Sequence, residues 1–283
     1  MTVLPHHLVD PNGPQHSDKT EFRNYTDSAN QNRVSKFYYD NHINQTYDFV
    51  LQKKEKFLKL DKIQMGIWDA ILLLNEFVDN SDPDTDFPQI MHLLQTAESI
   101  RNAYPEPEYD WFHLTGLIHD LGKVLGHPKL WEEPQWCVVG DTYPVGCQHS
   151  DSIVFHKFFE ENPDFKNPKY NTKYGVYSEG IGLENVHFSW GHDEYLYQVC
   201  KQNGSTLPEP AMYVIRYHSF YPWHTHGSYD HLCNDKDREM LKWVKEFQKH
   251  DLYSKLPEKP DAEKLTPYYK SLIAKYFPQS LRW

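Results

Sequence analysis

An imidazole and a carboxylate stand side by side at His119-Asp120, where the apolar run from Trp111 to Leu121 ends. Four more residues of the same two kinds, His92, His192, His218 and Asp251, are scattered along the chain. Imidazole nitrogens and carboxylate oxygens are what first-row divalent metals take as ligands. Four imidazoles and two carboxylates are more than one tetrahedral zinc can use, and they match two octahedral metals sharing a bridging carboxylate. The chain holds 17 histidines, so decoys are present too, among them His6-His7 and the His224-x-His226 pair. A lone His-Asp dipeptide is usually an ordinary pair. The assignment therefore depends on whether the segments carrying these six residues turn them inward.

The apolar spacing says that several of them do. Leu114, Leu117, Ile118 and Leu121 recur at i, i+3, i+4 and i+7, the pattern of a buried amphipathic helix, and Gly122 supplies its end. His92 falls on a helix opening at Asp86 and Pro88, with Ile90, Met91, Leu94, Ala97 and Ile100 apolar, but it lies beside Gln95 and Ser99 towards the more polar side and counts as a ligand only in company with the others. Leu196 and Val199 lie four and seven residues after His192, and Ala211 and Ile215 lie seven and three before His218, which sets both rings on buried faces. Asp251 continues the stripe of Val244 and Phe247, and a carboxylate is rarely buried unless paired or metal-bound.

Around these segments the spacing predicts one long helix from Arg33 to about Leu60, a second from Gly66 to Val78, an acidic turn from Asp79 to Asp84, and a short final helix from Tyr268 to Tyr276. Between His127 and Glu184 prolines interrupt every period, which predicts long ordered loops with one short helix from Ser150 to Glu161. The fold expected is all-α, one helical bundle with long covering loops spanning 21–283, behind a mobile polar tail at 1–20.

Composition narrows the partners. A net charge of -11 over 283 residues offers no basic surface for nucleic acid or anionic lipid. The four cysteines form no CxxC pairing, the first residues carry no secretory pattern, and no apolar run approaches the roughly 18 residues a membrane span needs. A cytoplasmic monomer with reduced thiols is expected.

The order His92, His119-Asp120, Asp251 resembles the HD-domain superfamily of helical metalloproteins. The stretches Asp86-Phe87-Pro88, Asp110-Trp111-Phe112-His113-Leu114, His119-Asp120-Leu121-Gly122-Lys123, Val139-Gly140-Asp141-Thr142, Ser189-Trp190-Gly191-His192-Asp193-Glu194-Tyr195 and His218-Ser219-Phe220-Tyr221-Pro222-Trp223-His224 look like those of the myo-inositol oxygenase family, over about Phe22 to Trp283. That resemblance implies two iron ions, mixed-valent Fe(II)/Fe(III), with O2 as co-substrate and myo-inositol cleaved to D-glucuronate and water. His92, His119, Asp120 and Asp251 would hold one iron, and Asp120 would bridge to a second held by His192 and His218. Lys123 would hydrogen-bond the substrate oxygen held by iron. Arg23, Asp79, Asn80, Ser81, Gly140, Asp141, His218 and Ser219 would contact the substrate. The rival enzyme class, an HD-type metal-dependent phosphohydrolase, shares the metal core but needs Lys and Arg converging on a phosphate, which this acidic chain does not offer. A third reading is an inert metal-stabilised scaffold.

Overall fold

In the computed structural model, which describes residues 31–76, 89–251 and 260–283, the chain is all-α apart from one small antiparallel pair. The tail 1–20 and the expected contacts Arg23, Asp79, Asn80 and Ser81 lie outside the described residues. The helices are α1 (Gln31–Asn44), α2 (Tyr47–Phe57), α3 (Ile67–Leu74), α4 (Gln89–Ala103), α5 (Asp110–Ile118), α6 (His192–Gln202), α7 (Glu209–Tyr217), α8 (Tyr221–His224), α9 (Asp235–Asp251) and α10 (Ala262–Tyr276). Strand β1 (Gln64–Met65) pairs antiparallel with β2 (Leu281–Arg282). Among the described residues no helix is long and apolar enough to cross a membrane.

The helices that carry the six candidate ligands are neighbours. α4 packs on α5, α6 on α7, and α9 on both α4 and α7. Gly116 explains the closeness of α4 and α5. A Cβ at that position would come within 2.9 Å of the Ala97 backbone and of Ile100, so only a residue without a side chain lets the helix carrying His119 approach the one carrying His92.

Four local expectations are corrected by the structure. The predicted Arg33–Leu60 helix is two helices, α1 and α2. The buried Gln45 at the break accepts from the Trp190 N–H at 2.9 Å and donates to the Trp190 carbonyl at 2.8 Å, while Thr46 caps α2 by accepting from the Phe49 N–H. The Ser150–Glu161 helix is a set of turns followed by a 3-10 helix at His156–Glu161. The hydroxyls of Ser150, Ser152 and Ser228 bond one another at 2.9–3.0 Å, and Ser152 N–H turns back to Ser150, local bonds that compete with helix formation. The final helix starts at Ala262, capped by Asp261, and runs through Pro267, which had concealed its first turns.

Gly122 is the fourth. Helix α5 already ends at Ile118, and the chain continues through Asp120 into a 3-10 helix, Leu121–Gly126. What requires glycine is proximity. A Cβ on Gly122 would lie 2.0 Å from the carbonyl oxygen of His192, so the backbone after Asp120 rests directly on the start of α6. Gly122→Ala is expected to cost about 3 kcal/mol of stability in urea denaturation, from overpacking against main chain, and to lower metal uptake with it by displacing His192.

The covering loops close on a stack of rings. Phe159 is sandwiched between His42 and His149, with centroids 4.1 Å and 3.9 Å away. Burial pushes both imidazoles down to about 3, against about 6.5 when unfolded. Between those values the unfolded chain binds protons that the folded chain refuses, so stability falls as pH falls below 6.5. Each histidine is expected to contribute about 1.4 kcal/mol per pH unit inside that window. Urea midpoints at pH 7 and pH 5 read the slope, and His149→Phe should reduce it by about one proton's worth.

Candidate metal centre

Every candidate ligand is set by a helix end or a packed helix face. His92 projects from the first half of α4. His119 caps the C-terminus of α5, its N–H donating to the Thr115 carbonyl. Asp120 is the next residue, where the chain passes into the 3-10 helix, and this change of winding lets two adjacent side chains reach one centre. His192 opens α6, His218 caps α7, and Asp251 is the last residue of α9.

The two oxygens of Asp120 face different groups. Oδ2 lies 3.4 Å from His119 Nε2 and 3.7 Å from His92 Nε2, and both of these nitrogens are also 3.1–3.2 Å from Asp251 Oδ1. Oδ1 lies 3.3 Å from His192 Nε2 and 3.6 Å from His218 Nε2, which are 3.3 Å from each other. Separations of about 3 to 3.6 Å are those of neighbouring ligands around an ion with bonds of roughly 2.1 Å. The sequence-predicted six are thus brought together as two groups joined by one carboxylate.

The tautomers say what the centre can take. Nδ1 of His119 sits 2.9 Å from the Gly116 carbonyl, Nδ1 of His192 sits 2.9 Å from the Val138 carbonyl, and Nδ1 of His218 sits 3.2 Å from the carbonyls of Val214 and Ile215. A carbonyl only accepts, so each Nδ1 carries the hydrogen and each Nε2 presents a lone pair. Lone pairs on the Nε2 atoms face lone pairs on carboxylates and on each other, which only cations can hold together. The donor set therefore fits a pair of metal ions. Protons are the alternative to metal ions at these atoms. Burial opposes charge on His119 and His192, yet Asp120 and Asp251 carry His119 up to about 10, and Asp193 with Asp120 carries His192 up to about 9. Burial likewise opposes the Asp120 carboxylate, and Lys123 and His119 hold it well below the usual range. For Asp251, burial is outweighed by His119 and His92 in the same way.

Lys123 Nζ is 2.9 Å from Asp120 Oδ2, with its side chain 11% exposed. Arg216, two residues before His218, and Lys54 are both bound to Glu194, so these cations are already engaged and no phosphate cradle is evident among the described residues. Ser219, beside His218, donates its hydroxyl to Asp193 at 3.0 Å, and its carbonyl accepts from the Thr142 N–H at 2.9 Å. Asp141 accepts from the Tyr38 hydroxyl at 3.2 Å. Gly140 has φ +89° and abuts the Phe37 ring, a position closed to other residues. The loop carrying Gly140 and Asp141 is therefore tied, through Thr142, to Ser219 just beyond the end of α7.

Two features were missed from sequence. Asp193 is buried with Oδ1 2.8 Å from His192 Nε2 and 3.6 Å from His218 Nε2, and an acidic residue in the first turn of a helix gave no sign of that. His224, set aside as a decoy, donates to the His218 carbonyl at 2.9 Å together with Gln248 at 2.6 Å, so it holds a candidate ligand in place.

A family profile described as myo-inositol oxygenase matches residues 31–283. A probable inositol oxygenase of Oryza sativa subsp. japonica is 61% identical over 93% of this chain and 85% of its own. An inositol oxygenase of Dictyostelium discoideum is 56% identical over 93% of this chain and 90% of its own, and one of Mus musculus is 51% identical over 97% and 94%.

Proposed function

Because this chain belongs to the myo-inositol oxygenase family, an oxidoreductase family acting on myo-inositol, we propose that it cleaves the inositol ring with O2 to give D-glucuronate and water, using two iron ions. One ring carbon–carbon bond breaks, and four electrons pass from the polyol to dioxygen. The observation that best supports the reading is the placement of Asp120, with one oxygen toward His92, His119 and Asp251 and the other toward His192 and His218.

When bound, the iron pair would supply a Lewis-acidic seat for adjacent inositol oxygens and the redox capacity to use dioxygen. The chain's own residues do the rest. His92, His119, Asp120 and Asp251 hold one ion, and Asp120, His192 and His218 hold the other. Lys123 donates a hydrogen bond to the bound substrate oxygen and stabilises its deprotonated form. Gly140, Asp141 and Ser219, with Arg23, Asp79, Asn80 and Ser81, meet the remaining hydroxyls, since each buried hydroxyl left unpaired costs about 1 to 3 kcal/mol. The enzyme is proposed to be a cytoplasmic monomer formed as one HD-domain-like unit over 21–283; the four buried, unpaired cysteines support the reducing compartment.

Oxygen uptake by anaerobically iron-loaded protein given myo-inositol is the test. Consumption of one O2 per glucuronate formed is expected. No uptake, with phosphate released from nucleotides or phosphomonoesters instead, would overturn the proposal.

Metal loading also has a proton signature. With His119 at about 10 and His192 at about 9 in the metal-free site, both rings are protonated at pH 7 and must lose that proton to bind a metal. About two protons are expected to be released per chain on loading, read by calorimetry in two buffers of different ionisation enthalpy.

A further inference from the structure

Asp193 has no part in the ligand scheme above, yet it is among the most buried charged groups in the protein, 1% exposed. Ser219 gives it two hydrogen bonds, N–H to Oδ2 at 3.2 Å and Oγ–H to Oδ1 at 3.0 Å. A carboxylate only accepts, and a serine hydroxyl has a single hydrogen to give. His192 Nε2 is more distant, at 3.4 Å; with the hydrogen committed to the nearer Asp193, what Ser219 Oγ offers to anything else in the site is a lone pair. Its main chain is fixed as well, by the Thr142 N–H on its carbonyl, so turning the hydroxyl around means breaking bonds that the surrounding structure keeps in place.

We propose that Asp193 is a positioning residue that sets the hydrogen-bond polarity of Ser219, so that Ser219 accepts from a substrate hydroxyl and the site demands a free O–H at one ring position. This rests on the reading of Ser219 as an inositol contact. It implies a specific discrimination. At that position an O-methyl or fluoro substituent, which can accept but not donate, is rejected as firmly as plain hydrogen, because a buried acceptor is left facing another acceptor.

The test is equilibrium binding of monodeoxy and monofluoro-deoxy inositols to the anaerobic, iron-loaded, full-length protein, with iron content measured alongside. In the wild type, one ring position is expected at which loss of the hydroxyl weakens binding about tenfold, with fluorine no better than hydrogen. In Ser219→Ala the penalty at that position should vanish. Asp193→Asn, whose amide can present a donor or an acceptor, should bring the fluoro analogue back to within a few-fold of inositol with both irons retained. Fluorine recovering the affinity in the wild type would mean that Ser219 donates, and this comparison stands even if the Asn variant folds poorly. Loss of an iron in Asp193→Asn would make the residue a ligand and overturn the positioning role. Ser219→Ala changing no analogue's affinity, while the wild type binds inositol, would also overturn it. A wild type that binds no inositol would instead overturn the proposed function.

Discussion

Asp120→Ala is expected to strip the protein of both metals and abolish turnover, the largest effect of any single substitution. Both metal groups use this one side chain, Oδ2 for His92 and His119 and Oδ1 for His192 and His218. Without it no carboxylate spans the two groups: Asp251 lies against His92 and His119 alone, and Asp193 against His192 and His218 alone. Affinity should fall by more than the roughly 10- to 100-fold that loss of an outer partner of a ligand produces. Iron per chain, measured on protein loaded anaerobically and then desalted, is expected near zero, against two in the wild type. Asp120→Asn refines the test. The amide keeps one oxygen donor and replaces the other by NH2, so it can serve one group but not both, and one iron per chain is expected. Two irons retained in the alanine variant would sink the bridging assignment. The metal-free variant should also be less stable than the metal-free wild type, because the protonated His119 and His192 would lose a buried counter-charge.

How far the sequence led differs between ligands and frame. Most of the six candidate ligands were readable as a set because the apolar period of their helices fixes which way they point, and Asp251 in the line of Val244 and Phe247 is the clearest case. His92 read as lying towards the polar side of its helix, and the packing of α4 on α5 and α9 is what sets it beside Asp120 and Asp251. The joint between α1 and α2 was not readable, since the residues there favour helix locally and what breaks it is a distant partner, Trp190, engaged by Gln45. Gly122 misled for a similar reason. A glycine after a helix suggests a left-handed cap, whereas the one here is dictated by a backbone 70 residues away in sequence, the carbonyl of His192. Asp193 was invisible because a carboxylate near a helix N-terminus already has a sufficient local explanation in the helix dipole. Its burial against His192 and Ser219 is a tertiary fact. Periodicity reports orientation relative to the core, and it is silent about which part of the core a side chain meets.

Lys123→Ala is expected to keep both metals and lose turnover by about 100- to 1000-fold, the range a positioned proton donor contributes. Lys123 follows Asp120 by three residues on the 3-10 helix, where side chains three apart lie one above the other, and its ammonium sits 2.9 Å from the bridging carboxylate. A surface lysine would be fully solvated and its removal nearly neutral, but this one is 11% exposed, so its charge has been brought out of water beside the place where an inositol oxygen would deprotonate. Its contribution should be larger for the anion that develops there than for the neutral substrate, so kcat is expected to fall much more than KM rises. Lys123→Arg tests geometry separately from charge. The planar guanidinium cannot reproduce a compact ammonium wedged against Asp120, and it should recover little of the loss. Iron content decides between two ways of failing. Turnover lost with iron intact places Lys123 on the substrate, turnover lost together with iron reduces it to a support for Asp120, and full turnover in Lys123→Ala would show that the ion pair with Asp120 has no part in the chemistry.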